Sequence, residues 1–287
     1  MAIEVQLLLG LTNGIILGLV ISLLALGLSL IFGLIGIVNL AHGEFYMLGG
    51  VVAWYAVNFL GGYVAALLLA PLIVGALGLG IERGILRRLQ HQPSTTIIAT
   101  IGILFIIQHG VLGIFGPAPR KIDPPIEVLV QLPGFGYPVY RLLVAAISAG
   151  LLLALWTLMY RTNFGLFVRA AQQNREVAAA VGVPVARVYT LTFGLSAGLA
   201  GLAAALAAPL FSVHYLSGLD VLVLSFIVVI IGGLGSLRGA VFAAMLVSIL
   251  EGVSSAFVTP TEARILSLLL IVAILLLRPF GLFGRRA

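Results

Sequence analysis

The chain has 287 residues, of which 62% are hydrophobic and 8% charged, with a formal net charge of +6 and no cysteine. Soluble domains carry roughly 25% charged residues, so a chain this apolar cannot clothe its own surface and needs an apolar solvent, which argues against a soluble enzyme. Without cysteine there is no disulfide framework, thiol nucleophile or Cys-based metal site.

A membrane-spanning helix takes about 20 residues. The uncharged runs 5–41, 45–81, 92–119, 142–160, 188–219, 221–237, 239–250 and 265–277 must be divided to that length. Residues 15–37 are apolar on every side, whereas a membrane β-barrel would alternate apolar and polar residues. The fold class is therefore all-α, a polytopic membrane helical bundle of about eight or nine transmembrane helices. No Lys or Arg precedes the first apolar run, which is too long for a signal peptide, so it reads as a retained helix.

The arginines orient the crossings. Arg83, Arg87, Arg88, Arg161, Arg169, Arg175, Arg187, Arg238, Arg278, Arg285 and Arg286 all fall on one side if that side is cytoplasmic. Arg120, Lys121, Arg141 and Arg264 then lie outside. Two crossings fit in the first 60 residues, with a break near Gly33–Gly36, and further ones at 62–81, 96–115, 141–160, 188–209, 220–234, 239–256 and 262–278. Eight crossings, with the opposite placement of the N-terminus, remain open if 220–256 is partly re-entrant. The external loop 116–140 is rich in Pro and Gly, which predicts a stiff irregular cover. No polar segment is long enough for a soluble domain, so 1–287 is one transmembrane domain. A faint echo of Leu28-Ser29-Leu30-Ile31 in Leu224-Ser225-Phe226-Ile227 allows a parallel repeat.

Three motifs carry the candidate chemistry. Asn39, His42 and Glu44 sit between two apolar runs after Gly33 and Gly36. Ionisable groups at membrane depth are costly and face a cavity or a partner, so these residues read as a translocation path or gate. The alternative is a helix cap near the cytoplasmic interface, with Asn39 as N-cap and Glu44 in the first turn. One His and one Glu do not complete a metal site. The second motif lies in the overlong cytoplasmic segment 161–187. Helix formers from Gln172 to Val181 are stopped by Gly182 and Pro184, a short helix suited to docking a separate protein rather than a plain connector. Gln173, Asn174, Arg175, Glu176, Ala179 and Gly182 are its candidate residues, with Arg175 and Glu176 as anchors to the partner. The third motif, Gly232, Gly233, Gly235 and Arg238, matches no phosphate-binding pattern and predicts a tight inner turn. Glu251 is a second candidate for a deep carboxylate, with simple solvation near the outer interface as the alternative, and Gln108, His109 and His214 read as polar groups near external helix ends. No nucleophile, base and orienting group converge, and no nucleotide site is visible, so the chain reads as a pathway rather than an enzyme.

The stretch Gly27-Leu28-Ser29-Leu30-Ile31-Phe32-Gly33, followed by Ile37-Val38-Asn39-Leu40-Ala41-His42-Gly43-Glu44-Phe45-Tyr46-Met47-Leu48-Gly49, closely resembles the N-terminal signature of branched-chain amino acid ABC importer permeases. It is most similar to the shorter of their two permease subunits. Arg169-Ala170, Gln173-Asn174-Arg175-Glu176, Ala179 and Gly182-Val183 resemble that family's cytoplasmic coupling loop, and Gly232-Gly233-Leu234-Gly235-Ser236 resembles a third segment. Arg238 departs from the resemblance, which implies proline there. The resemblance implies a second permease subunit, two cytoplasmic ATPases that consume the ATP, an extracytoplasmic solute-binding protein and a bacterial-type inner membrane location. It implies no cofactor on this chain and no nucleic acid partner. A stand-alone secondary transporter or channel for a small polar solute is the alternative. The specific amino acid, urea or amide, and whether the partner permease is identical or different, stay open.

Overall fold

The computed structural model describes residues 3–36, 38–89, 92–132, 135–278 and 281–284. Arg285, Arg286, Ile37 and the loop residues Pro133 and Gly134 lie outside that set. In chain order the elements are α1 (Ile3–Ile35), α2 (His42–Phe59), α3 (Tyr63–Ile81), a π turn (Glu82–Leu86), α4 (Arg87–Leu89) and α5 (Pro93–Phe115). A hairpin follows, β1 (Leu129–Leu132) and β2 (Phe135–Pro138), then α6 (Val139–Arg161), α7 (Asn163–Gln173) and α8 (Arg175–Ala180). The chain closes with α9 (Val185–Ala207), α10 (Ser217–Gly232), α11 (Leu237–Ser254) and α12 (Pro260–Leu277). Nine long helices among the described residues thus fall on the expected crossings, and six of them are long and apolar enough to cross a membrane by length and composition.

Helix boundaries follow local chemistry. Gly36 takes φ +69°, left-handed backbone that ends α1. Thr259 and Glu262 form a reciprocal capping box ahead of α12, with Pro260 in its first turn. At the far end of α9, orphan carbonyls need donors; the Tyr63 hydroxyl donates to Ala205 O (2.7 Å) and the Tyr140 hydroxyl to Leu206 O (2.7 Å), fastening α3 and α6 to α9. The buried Glu82 carboxylate accepts from Thr190 (2.6 Å) and faces Arg87 at 3.4 Å. Arg87 also donates to Ala186 O (3.1 Å) and to Thr190, tying the π turn to α9.

Most of α1 and α9 is buried, whereas α3, α5 and α6 keep large exposed apolar faces. Glycine seams bring the buried helices close. A Cβ on Gly10 would lie 2.3 Å from Gly252 O, and one on Gly14 2.6 Å from Ser248 O, so α1 and α11 run antiparallel with backbones in contact. Gly75, Gly194 and Gly198 make the corresponding seam between α3 and α9.

These seams correct the expected parallel repeat. The trio α1–α2–α3 matches α9–α10–α11: a long helix, a break, a shorter helix and a tight return. α1 packs on α11 and α3 on α9, as a two-fold exchange requires. At α1's final turns Gly33 abuts Gln172, in the segment that leads into α9, so α9 sets out from the end where α1 finishes and the repeat is inverted. Leu28 lies in a long helix and Leu224 in a short one, so the echo between them joins unlike elements.

Two further expectations change. The 116–140 loop is irregular only to Val128; Leu129 then pairs with Pro138 and Leu132 with Phe135 in an antiparallel hairpin. Alternation of Phe135 and Tyr137 with smaller residues suits a strand. The docking segment holds two helices instead of one, because the Asn174 side chain accepts from Val177 N (3.0 Å) and restarts the helix.

Candidate functional site

The first site is built at the break after α1. The Asn39 side-chain oxygen accepts from Ala41 N (3.1 Å), and Leu40 N donates to Thr100 Oγ1 (3.4 Å) on α5, which shapes the chain into the start of α2. His42 Nε2 lies 3.1 Å from Leu24 O. A carbonyl only accepts, so the ring proton is on Nε2 and Nδ1 is an acceptor without a partner. Leu24 lies eleven residues before the end of α1, about 16 Å along a helix, so His42 sits deep between the two ends of the bundle. The alternative of a cap near the cytoplasmic interface is therefore corrected: the site lies at depth, and Asn39 stands outside α2, whose N-cap is Ala41, although Glu44 does fall in the first turn.

Asn39, His42 and Glu44 are 3%, 0% and 0% exposed. Beside them a Cβ on Gly27 would meet Ser196 Oγ at 2.9 Å and the His42 ring at 3.1 Å. Both Glu44 oxygens, Ser29 Oγ, Thr192 Oγ1 and Ser196 Oγ lack a hydrogen-bond partner among the described residues. A second helix end lies beside Glu44. Gly43 and Gly218, in the first turns of α2 and α10, cross so closely that a Cβ on Gly43 would lie 2.2 Å from Gly218 O. Glu44 Oε1 would lie 2.9 Å from a Cβ on Gly218, so the carboxyl group rests against the N-terminal turns of two helices, where helix dipoles favour negative charge. Broken helices that meet at mid-depth in an inverted repeat are the architecture in which membrane carriers place their solute path.

Next to this crossing, toward the hairpin end, is a cavity of about 670 Å³. Ile16, Val20, Leu24, Met47, Val221 and Leu224 form its aliphatic wall. Leu24 and Ser217 line it from below, adjoining His42 and Gly218. Its polar groups are of both signs. Arg141 donates to Asn13 Oδ1 (2.5 Å), which also accepts from the Tyr137 hydroxyl (2.6 Å). Glu251 Oε1 lies 3.5 Å from Arg264 Nε, and His214 lies 3.9 Å from Asp220. Glu251, a candidate deep carboxylate, and His214, expected at the interface, thus line one cavity together. His109 is exposed and stacks on Phe105, but Gln108 is 4% exposed with Nε2 unpartnered.

The family model for the permease component of branched-chain amino acid transport systems matches residues 10–277. The chain belongs to that family. Among curated relatives of this permease, LivH of Escherichia coli, a high-affinity branched-chain amino acid transport system permease protein, is 27% identical over 95% of this chain and 94% of its own. BraD of Pseudomonas aeruginosa, of the same description, is 26% identical over 96% and 95%. A solved structure, PsaBC from Streptococcus pneumoniae in complex with Fab, superposes with a TM-score of 0.48 at 15% identity, covering 92% of this chain and 89% of that one. The family is one of transport permeases and not of enzymes. Among the described residues no cluster of His, Asp or Glu could hold a metal ion.

At the arginine-rich end of this permease, α8 ends in two reciprocal bonds, Val183 N to Ala178 O (3.0 Å) and Gly182 N to Ala179 O (3.1 Å), with Gly182 at φ +87°. That Schellman stop is the reason for the glycine. Gln173, Asn174, Glu176, Ala179 and Gly182 are exposed, as are Val177 and Val181, while Ala178 is buried. Arg175 is half-exposed, and its guanidinium lies 5.1 Å over the Tyr189 ring on α9. The inner turn joins α10 to α11. Gly232 abuts Gly239, Gly233 (φ +98°) meets Phe283–Gly284, and Gly235 (φ +79°) meets Gly33. Ser236 caps α11 by accepting from Gly239 N (3.1 Å), and Arg238 in the first turn lies 5.4 Å over Tyr160, a position proline could not fill in the same way. Sequence reading missed Gly218, Asn13, Arg141 and Tyr137. The spacing Gly10-x3-Gly14-x3-Gly18, a small-residue seam, was the signal available for the α1 packing that presents Asn13.

Proposed function

We propose that this permease is the membrane-spanning subunit of an ATP-driven importer of branched-chain or related amino acids. The observation that carries the reading is the cavity: aliphatic walls beneath a mouth bearing groups of both charge signs suit a zwitterion with an apolar side chain. The arginine-rich end is cytoplasmic by the positive-inside bias, which makes the hairpin end and the cavity mouth external and the membrane a bacterial-type inner membrane. The α2–α10 crossing is the closed floor of the path, with Asn39, His42 and Glu44 as the polar groups a solute meets when it opens.

A second permease subunit, two cytoplasmic ATPases and an extracytoplasmic solute-binding protein complete the transporter, and ATP is bound by the ATPases. The exposed face of α8 is the docking surface for an ATPase. A contiguous line of contacts supports the coupling: Gln172 of α7 touches Gly33, Gly33 touches Gly235 of the inner turn, and α1 then leads into the break at Gly36. Cells that express the full set of subunits should take up labelled leucine in an ATP-dependent manner, and the ATPases should co-purify with the permease. Uptake without any ATPase would instead favour a carrier acting alone, the reading that the midplane helix breaks on their own would suggest.

A further inference from the structure

Arg141 stands apart from the other arginines of the molecule. It lies in the first turn of α6, half-buried, on the wall of the cavity, and no carboxylate lies within ion-pair distance among the described residues. Arg264, the other cationic group of that cavity, is already paired with Glu251 and is 65% exposed at its side chain. What holds Arg141 is a neutral acceptor, Asn13 Oδ1, itself fixed by the Tyr137 hydroxyl. That arrangement aims the guanidinium without neutralising it. A charged residue half-withdrawn from water without a counter-ion is costly, and a guanidinium matches a planar carboxylate through two parallel donors.

Depth fits the same use. Gly10 against Gly252 and Gly14 against Ser248 place Asn13 level with Glu251 on the α1–α11 seam, near the mouth. Ile16, Val20 and Leu24 continue down α1 below Asn13 on the cavity wall. A ligand whose carboxylate met Arg141 would lay an aliphatic side chain along that wall, toward the floor. We propose that Arg141 is the residue that receives the α-carboxylate of an amino acid entering this cavity, with Asn13 and Tyr137 as its positioning residues. The assignment rests on the importer reading and adds to it the group that selects a carboxylate.

The test is photolabelling of the permease, purified together with its ATPases, by a diazirine analogue of leucine. In the wild-type protein the label should enter α1 between Ile16 and Leu24, with competition by leucine and not by leucinamide, which lacks the carboxylate. Arg141→Gln should lower labelling roughly tenfold, the scale of a lost charge-assisted bond. Asn13→Asp should do the same with Arg141 still present, because it supplies an internal counter-ion. If Arg141 served only the fold, Asn13→Asp would strengthen its contact and leave labelling unchanged, and that result overturns the proposal even if Arg141→Gln fails to accumulate. Equal competition by leucinamide, or no label in α1 of the wild type, overturns it as well. The importer reading fails separately, if wild-type cells import no leucine.

Discussion

The crossing of α2 and α10 and the α7–α8 segment both concentrate polar residues in a chain that has few, yet they treat them in opposite ways. At the crossing, Asn39, His42 and Glu44 are buried, backbones touch through Gly43 and Gly218, and several polar atoms have no partner among the described residues. In α7–α8 Asn163, Gln173, Asn174 and Glu176 are exposed, Arg169, Gln172 and Arg175 are half-buried, and the helix ends are capped, by Thr162 and Asn174 at the starts and by the Gly182 stop. Space therefore dictates the residues at the crossing. In the loop, local capping dictates them.

Substitutions sharpen this contrast. The largest effect belongs to Gly43→Ala: its Cβ would meet Gly218 O at 2.2 Å and Leu222 Cβ at 2.7 Å, so backbone must move, at a cost of about 1–3 kcal/mol or more. Detergent-solubilised protein should lose its folded fraction on mild heating, whereas Gly80→Ala, with no atom within 4 Å of the new Cβ, should melt like the wild type or above it. Equal melting of the two variants would break the claim that the crossing is close-packed. Glu44→Gln keeps shape and removes charge, so uptake of leucine should fall while the melting profile holds. A drop in both would make Glu44 a structural residue.

In the loop, Ala179→Trp should leave expression and membrane insertion intact but block co-purification of the ATPase, because Ala179 faces outward. Ala178→Trp, at a 3% exposed position, should instead destabilise α8 itself, read as faster proteolysis of 174–182. Normal ATPase recovery with Ala179→Trp would leave α8 a plain connector. The smallest effect is expected from Asn174→Ala, which removes one N-cap worth about 1 kcal/mol. Hydrogen exchange should quicken in α8 and not in α9.

The long helices were legible because apolar runs of spanning length are bounded by arginine clusters and glycine breaks. The α8 stop was legible for a similar reason, since Gly182 and Pro184 act within a few residues. The depth of His42 was legible only as one of two readings. The residue follows the end of α1 in the chain, which left an interfacial cap as the alternative to a gate at depth. Yet six residues from Gly36 to Ala41, at up to about 3.3 Å each, are enough to return the roughly 16 Å to the level of Leu24. The Asn13–Arg141 contact and the Gly43–Gly218 crossing join residues far apart in sequence, and no local pattern encodes such pairs. The contact between Arg175 and the Tyr189 ring on the next helix is another that no local pattern encodes.

The central claim is a path open at the hairpin end and closed by the α2–α10 crossing. The chain has no cysteine of its own, so single cysteines can report on it directly. Ser217→Cys, on the cavity floor, and Gln173→Cys, on the docking segment, should be treated with an impermeant maleimide in right-side-out and inside-out vesicles. Position 217 should be labelled only from outside and position 173 only from inside. Labelling of position 217 from the cytoplasmic side alone would contradict it.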